Sequence, residues 1–127
     1  INKWVEWASS AIKDSISKKE CKHFGKVKTG LIATGDRFLA ETSLVKNLSR
    51  ELPGLYAVEM EGAAVAQVAY QERVPWLIVR VISDGADNSA AQTFNDFLKD
   101  YEKCSWYLIE TLLKKYTTAP WEEKIAR

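Results

Sequence analysis

The chain has 127 residues, 46% hydrophobic and 28% charged, the balance of an ordinary globular protein with enough material for a core. A formal net charge of +1 gives no electrostatic case for nucleic acid or an anionic membrane as partner. One histidine, His23, and two distant cysteines, Cys21 and Cys104, lack zinc-ligand or disulfide-scaffold spacing, and a reducing cytosol suits them.

No stretch approaches the roughly 18 uninterrupted apolar residues of a membrane span. The N-terminus also lacks a basic-then-apolar signal pattern. Ile1 opens directly into a helical pattern, so the expectation is a chain that begins inside a longer protein. Length alone predicts one domain.

In chain order, Trp4, Val5, Ala8, Ile12 and Ile16 recur at three- and four-residue steps, the mark of an amphipathic helix. Lys18, Lys19, Lys22, Lys26 and Lys28 follow as a basic cluster, read as a solvated face. Val27 to Ala33 reads as a strand ending in the turn signal Thr34-Gly35-Asp36. Thr42 is a candidate cap for a helix through Leu48, which stops before Pro53-Gly54. Leu55 to Val58 is a second strand, and a helix follows from Met60 to about Tyr70. Its small residues Gly62, Ala63, Ala64 and Ala66 suit close packing on a sheet. Pro75 breaks the chain before a third apolar strand, Trp76 to Ile82.

Residues 84–91 read as a loop, and Thr93 as the cap of a long final helix carrying Phe94, Phe97, Leu98, Tyr101, Trp106, Leu108, Leu112 and Leu113. Residues 116–127 are expected to form a surface tail. Strands alternating with helices predict a layered α/β fold with a largely parallel sheet. Three strands leave an apolar edge, so further strands from another segment or a partner are expected.

Acidic residues interrupt the ends of two of these apolar runs: Glu59 and Glu61 after Val58, and Asp84 after Ile82. Strand ends are where open α/β sheets bind ligands, and an ionised carboxylate near a core is costly unless paired or used. The same residues equally suit a helix N-terminus and a turn. Both readings fit the residues alone.

Three motifs in order are Gly30-Leu31-Ile32-Ala33-Thr34-Gly35-Asp36-Arg37-Phe38, Ala57-Val58-Glu59-Met60-Glu61-Gly62 and Val79-Arg80-Val81-Ile82-Ser83-Asp84. Together they resemble the C-terminal half of the nucleoside phosphorylase/nucleosidase superfamily, and within it the 5′-methylthioadenosine/S-adenosylhomocysteine nucleosidases. The resemblance runs from about Gly30 to Leu113. It implies a three-layer α/β/α phosphorylase/hydrolase-like fold with a mostly parallel or mixed central sheet, of which residues 1–127 are the C-terminal portion. It also implies a cytoplasmic homodimer in methionine salvage, with no cofactor and no metal.

The implied reaction is hydrolysis of the N-glycosidic bond of an adenine nucleoside. Asp84 matches the general acid that protonates the leaving base, a task that requires a raised pKa. Glu61 matches the carboxylate that binds the ribose hydroxyls, and its charge favours the oxocarbenium-like transition state. Met60 would lie against the sugar, and Glu59 is counted with the substrate-binding residues, in a less defined role that could also be one step removed from the substrate. Phe38 would stack on adenine, a contact worth about 1–3 kcal/mol in nucleic-acid binders, and Leu39 would offer backbone groups to the purine edge. Ser83 would orient Asp84 or line the purine site, and Phe94 would close the loop over the base. Met60, Phe38 and Ser83 also have plain packing or turn readings.

The family's water-activating glutamate lies in an N-terminal glycine-rich stretch that these residues do not contain. The missing N-terminal half is therefore an expected partner, and this chain alone is expected to be inactive. Within the superfamily the alternative is a purine nucleoside phosphorylase, for which Arg80 is a candidate phosphate ligand unless it pairs with a carboxylate. From another class, the alternative is a catalytically incomplete fragment serving as a binding or scaffolding module. The five tryptophans match no family role and are read as packing or interface residues.

Overall fold

The computed structural model describes residues 2–18, 24–87 and 90–121. Cys21, His23, Lys19 and Lys22 fall outside the described residues. The described helices include none long and apolar enough to cross a membrane. The chain divides into two compact units, residues 1–29 with 98–127, and residues 30–97.

The first unit is helical. Helix α1 spans Lys3–Lys18 and α4 spans Ala90–Lys114, of which the part from Leu98 belongs here. Asn2 caps α1, its side-chain oxygen accepting the Trp4 N–H at 2.7 Å. Ala8, Ala11, Ile12 and Ser15 fall on one face of α1 and are buried, as are Cys104 and Leu108 on α4. Ser15, the one buried hydroxyl among the described residues, is satisfied by donating to the Tyr107 carbonyl and accepting from Thr111. After α4 a 3₁₀ turn, Tyr116–Thr118, leads into buried Ala119. Trp121 there packs on Trp4 and Tyr116 with ring centroids 4.8 and 4.4 Å apart. Thus the segment expected as a surface tail begins as a packed turn.

The second unit is α/β. Strands β1 (Leu31–Thr34) and β2 (Leu55–Glu59) pair in parallel, with Thr34 opposite Glu59 at their C-terminal ends. Helix α2 (Thr42–Glu51) connects them, and α3 (Gly62–Gln71) follows β2. The cap position of α2 is Glu41 rather than Thr42, and Glu41 makes no side-chain cap bond. Gly54, at φ 85°, completes the Pro53-Gly54 turn in a region that favours glycine. A Cβ on Gly30 would sit 1.9 Å from the Tyr56 ring, so the ring lies where any larger residue would be.

Helix α3 ends in paired backbone bonds, Arg73 N–H to Tyr70 C=O and Val74 N–H to Ala69 C=O, with Arg73 left-handed at φ 57°. The expected third strand is not there: Trp76 to Ile82 has no paired neighbour among the described residues, and the sheet has two strands. A strand exists only through a ladder partner, and apolar sequence alone does not supply one. Trp76, Val79 and Ile82 are accordingly exposed. Helix α4 starts at Ala90, so Thr93 lies inside it instead of capping it.

Candidate active site

Every residue singled out from the sequence for chemistry, Phe38, Leu39, Glu59, Met60, Glu61, Ser83, Asp84 and Phe94, belongs to the second unit. The carboxylates stand on two turns. Glu59 is the last residue of β2, and Glu61 occupies the position before the first residue of α3. Asp84 follows the unpaired apolar segment, in the loop before α4.

Glu59 and Glu61 differ in environment despite being two residues apart. The Glu59 side chain is 4% exposed and that of Glu61 is 66% exposed. The Thr34 hydroxyl donates to Glu59 Oε1 across the strand pair. The Glu61 N–H donates to Glu59 Oε2 at 3.1 Å, and the Gly62 N–H reaches both carboxylate oxygens at 2.9 and 2.7 Å. Arg80 Nη2 lies 3.4 Å from Glu59 Oε2 and 2.8 Å from Glu61 Oε2, bridging the two acids. Burial by itself raises the Glu59 pKa; the Thr34 hydroxyl, the Glu61 and Gly62 amides and the Arg80 charge together outweigh it and hold the pKa below its ordinary value. Glu59 is therefore ionised at neutral pH.

The Asp84 carboxylate is also held. Its Oδ2 accepts from the Ser83 hydroxyl at 2.6 Å, and its Oδ1 accepts from the Ala86 N–H at 2.8 Å. Ala86 adopts φ 52°, a left-handed conformation that costs a residue with a Cβ about 1–2 kcal/mol. A strained turn that orients a carboxylate is a pattern met at functional loops. The Ser83 hydroxyl is thus engaged by the neighbouring Asp84 carboxylate.

Phe38 and Met60 are exposed, at 51% and 43%, a poor arrangement for stability. Phe94, near the start of α4, is 38% exposed and lies 6.4 Å from the Phe97 ring. The structure thus ties Glu59, Glu61 and Arg80 together directly and places Ser83 with Asp84. A pocket of about 350 Å³ lined by Lys13, Ile16, Ser17, Gly25, Lys26 and Val27 contains none of these carboxylates.

In the sequence Thr34 reads only as part of a turn signal, and nothing local points to its tie to Glu59. Only the strand register, which sets Thr34 opposite Glu59, reveals it. Arg80, weighed as a phosphate ligand, is engaged by two carboxylates.

The comparisons with known proteins agree on one family. The sequence pattern of the phosphorylase superfamily matches residues 6–114. A 5′-methylthioadenosine/S-adenosylhomocysteine nucleosidase from Staphylococcus carnosus is 40% identical over 87 residues, 68% of this chain and 38% of that protein. The crystal structure of the nucleosidase of the same name from Neisseria meningitidis, in complex with methylthio-immucillin-A, superposes with a TM-score of 0.69 at 36% identity. The match covers 84% of this chain and 45% of that one. Futalosine hydrolase of Helicobacter pylori gives a TM-score of 0.68 at 32% identity, over 87% of this chain and 45% of that one. The chain therefore spans less than half the length of these relatives. On a family match running through both of its units, the chain belongs to the phosphorylase superfamily.

Proposed function

We propose that this chain is the acid- and sugar-binding half of a nucleosidase that releases adenine from 5′-substituted adenosines such as methylthioadenosine and S-adenosylhomocysteine. The observation that carries the reading is that two carboxylates of one unit, Glu61 and Asp84, are each fixed by polar partners of that unit. The nucleosidase relatives support it. On this reading the C1′–N9 bond breaks with its electron pair passing to the base. Asp84 delivers a proton to adenine N7, so the leaving group departs neutral. Positive charge develops on the ribose, and Glu61 holds the ribose hydroxyls with a negative charge beside it. Water then bonds to C1′ and loses its proton to a base that the resemblance assigns to residues outside this chain.

Phe38 stacks on the purine, Leu39 meets its edge through the backbone, Met60 packs against the sugar, and Phe94 covers the base. The other strands of a three-layer α/β/α fold come from the N-terminal half and cover the exposed apolar segment 74–83. The resemblance implies that the complete protein works in the cytoplasm as a homodimer.

The pairing of Arg80 with Glu59 and Glu61 favours water over phosphate as nucleophile, because the guanidinium offered for an anion is already neutralised. The test is adenine release by the full-length protein carrying this chain, from methylthioadenosine and S-adenosylhomocysteine, with and without phosphate. Phosphate-independent release of adenine supports the reading. Release that requires phosphate makes the protein a phosphorylase, and tight adenine binding without turnover makes it a binding module.

A further inference from the structure

We infer that Glu59 is a positioning residue for Glu61, acting through the turn it anchors, and that it is not itself a sugar ligand. The catalytic consequence rests on the nucleosidase reading above; the anchoring stands on geometry. An ionised carboxylate has about four lone-pair sites for donors. Four hydrogen bonds already occupy Glu59, from the Thr34 hydroxyl, the Glu61 amide and the Gly62 amide, which reaches both oxygens, and Arg80 adds an ion pair at 3.4 Å. With its side chain only 4% exposed, it has neither capacity nor access for ribose hydroxyls.

What the carboxylate does instead follows from the ends of α3. The first amides of a helix have no intrahelical acceptor. Glu61, at the cap position, makes no side-chain cap bond, so its carboxylate stays outward. Glu59 takes the Gly62 amide, and Thr34 takes the Ala63 amide at 2.9 Å while donating to Glu59. The helix is thus capped from the neighbouring strand and the strand end. The carboxylate that a cap would normally consume is left to pair with Arg80 instead. Glu59 holds Glu61 twice, through its backbone N–H and through the shared Arg80.

The test compares Glu59→Gln, Thr34→Val and Thr34→Ser in the full-length protein. An amide at position 59 turns a donor toward an amide or the guanidinium, so the turn loosens while Glu61 remains. Misplacing a catalytic group by about 1 Å costs up to about 100-fold, so Glu59→Gln is expected to lower kcat about 10- to 100-fold with KM within about threefold. Thr34→Val lowers kcat in the same direction and Thr34→Ser restores it. This rescue also carries the test if Glu59→Gln does not fold.

A raised KM with unchanged kcat in Glu59→Gln makes it a direct ligand and overturns the inference. A lowered melting temperature with unchanged kcat reduces it to a structural role and overturns it too. If the unmodified protein releases no adenine, the nucleosidase reading fails separately. Amide exchange then decides: protection at Glu61 and Gly62 that collapses in Glu59→Gln upholds the anchor, and unaltered exchange overturns it.

Discussion

The two units are held together by different physics. All the buried apolar residues described, Ala8, Ala11, Ile12, Cys104, Leu108 and Ala119, lie in the helical unit. In the α/β unit the one buried residue described is Gly62, while Leu31, Tyr56, Val65, Val68, Trp76, Val79 and Ile82 are exposed. What ties the end of its sheet is a polar cluster, Thr34, Glu59, Glu61 and Arg80. The carboxylates proposed for the chemistry therefore sit in the unit with less apolar burial of its own. Its exposed side chains form a surface that asks for cover, which the proposed N-terminal half provides. Stability and chemistry should accordingly respond to different substitutions.

The largest separation is expected at Asp84. On the proposed reading Asp84→Asn removes the proton donor and should lower kcat of the full-length protein by about 10²–10⁴-fold, with thermal unfolding unchanged. A loss under tenfold in steady-state adenine release contradicts the role. Leu108→Ala tests the other side of the comparison. Leu108 is 6% exposed, and truncating a buried leucine costs about 2–5 kcal/mol in lost transfer energy and residual cavity. Urea unfolding should register that loss while kcat per folded molecule stays near the unmodified value. If kcat falls with stability, the two units are not separable in this way.

The comparison also explains which features could be read from the sequence. Local patterns sufficed for α1, whose apolar spacing needs no partner to be recognised, and for β2, bounded by Pro53-Gly54 and the acidic pair. Strand β1 is shorter than its apolar run because pairing begins only at Leu31, opposite Leu55. The Trp76–Ile82 run encodes a demand for burial, but a ladder is a non-local property and no residue within the run reports whether its partner is present. The candidate acids were legible as acids in the wrong place for stability. That Glu59 and Glu61 divide their work was not, because the difference lies in Thr34 and Arg80, which are 25 and 21 residues from Glu59.

The charge on Glu59 gives a smaller, pH-dependent signature. Its folded pKa is depressed, so the stabilisation is fully present above its unfolded value, near 4.5, and is lost as pH falls through the folded value. The stability difference between the unmodified protein and Glu59→Gln should be constant from about pH 7 to pH 5 and shrink below about pH 4.5. Urea titrations across that range measure it. A difference that persists undiminished at about pH 3 shows that the anchor does not depend on the charge.

The smallest effect is expected at Gly62, where two consequences oppose each other. Gly62 has no positive φ, so its backbone is open to other residues, and an alanine would reduce the entropy of the unfolded chain by up to about 1 kcal/mol. Its new Cβ, however, would lie 2.8 Å from Glu59 Oε1 and 3.1 Å from the carboxylate carbon. The Glu59 side chain must shift by a few tenths of an ångström. It is the end of a flexible chain, but four partners hold it, so the shift is shared with Thr34 and Arg80 instead of being absorbed freely. Gly62→Ala should therefore leave the melting temperature nearly unchanged and lower kcat by less than about threefold, far below the loss from misplacing a group by a full ångström. A larger fall in kcat than in Glu59→Gln would mean that the room at Gly62, not the carboxylate beside it, sets the position of Glu61.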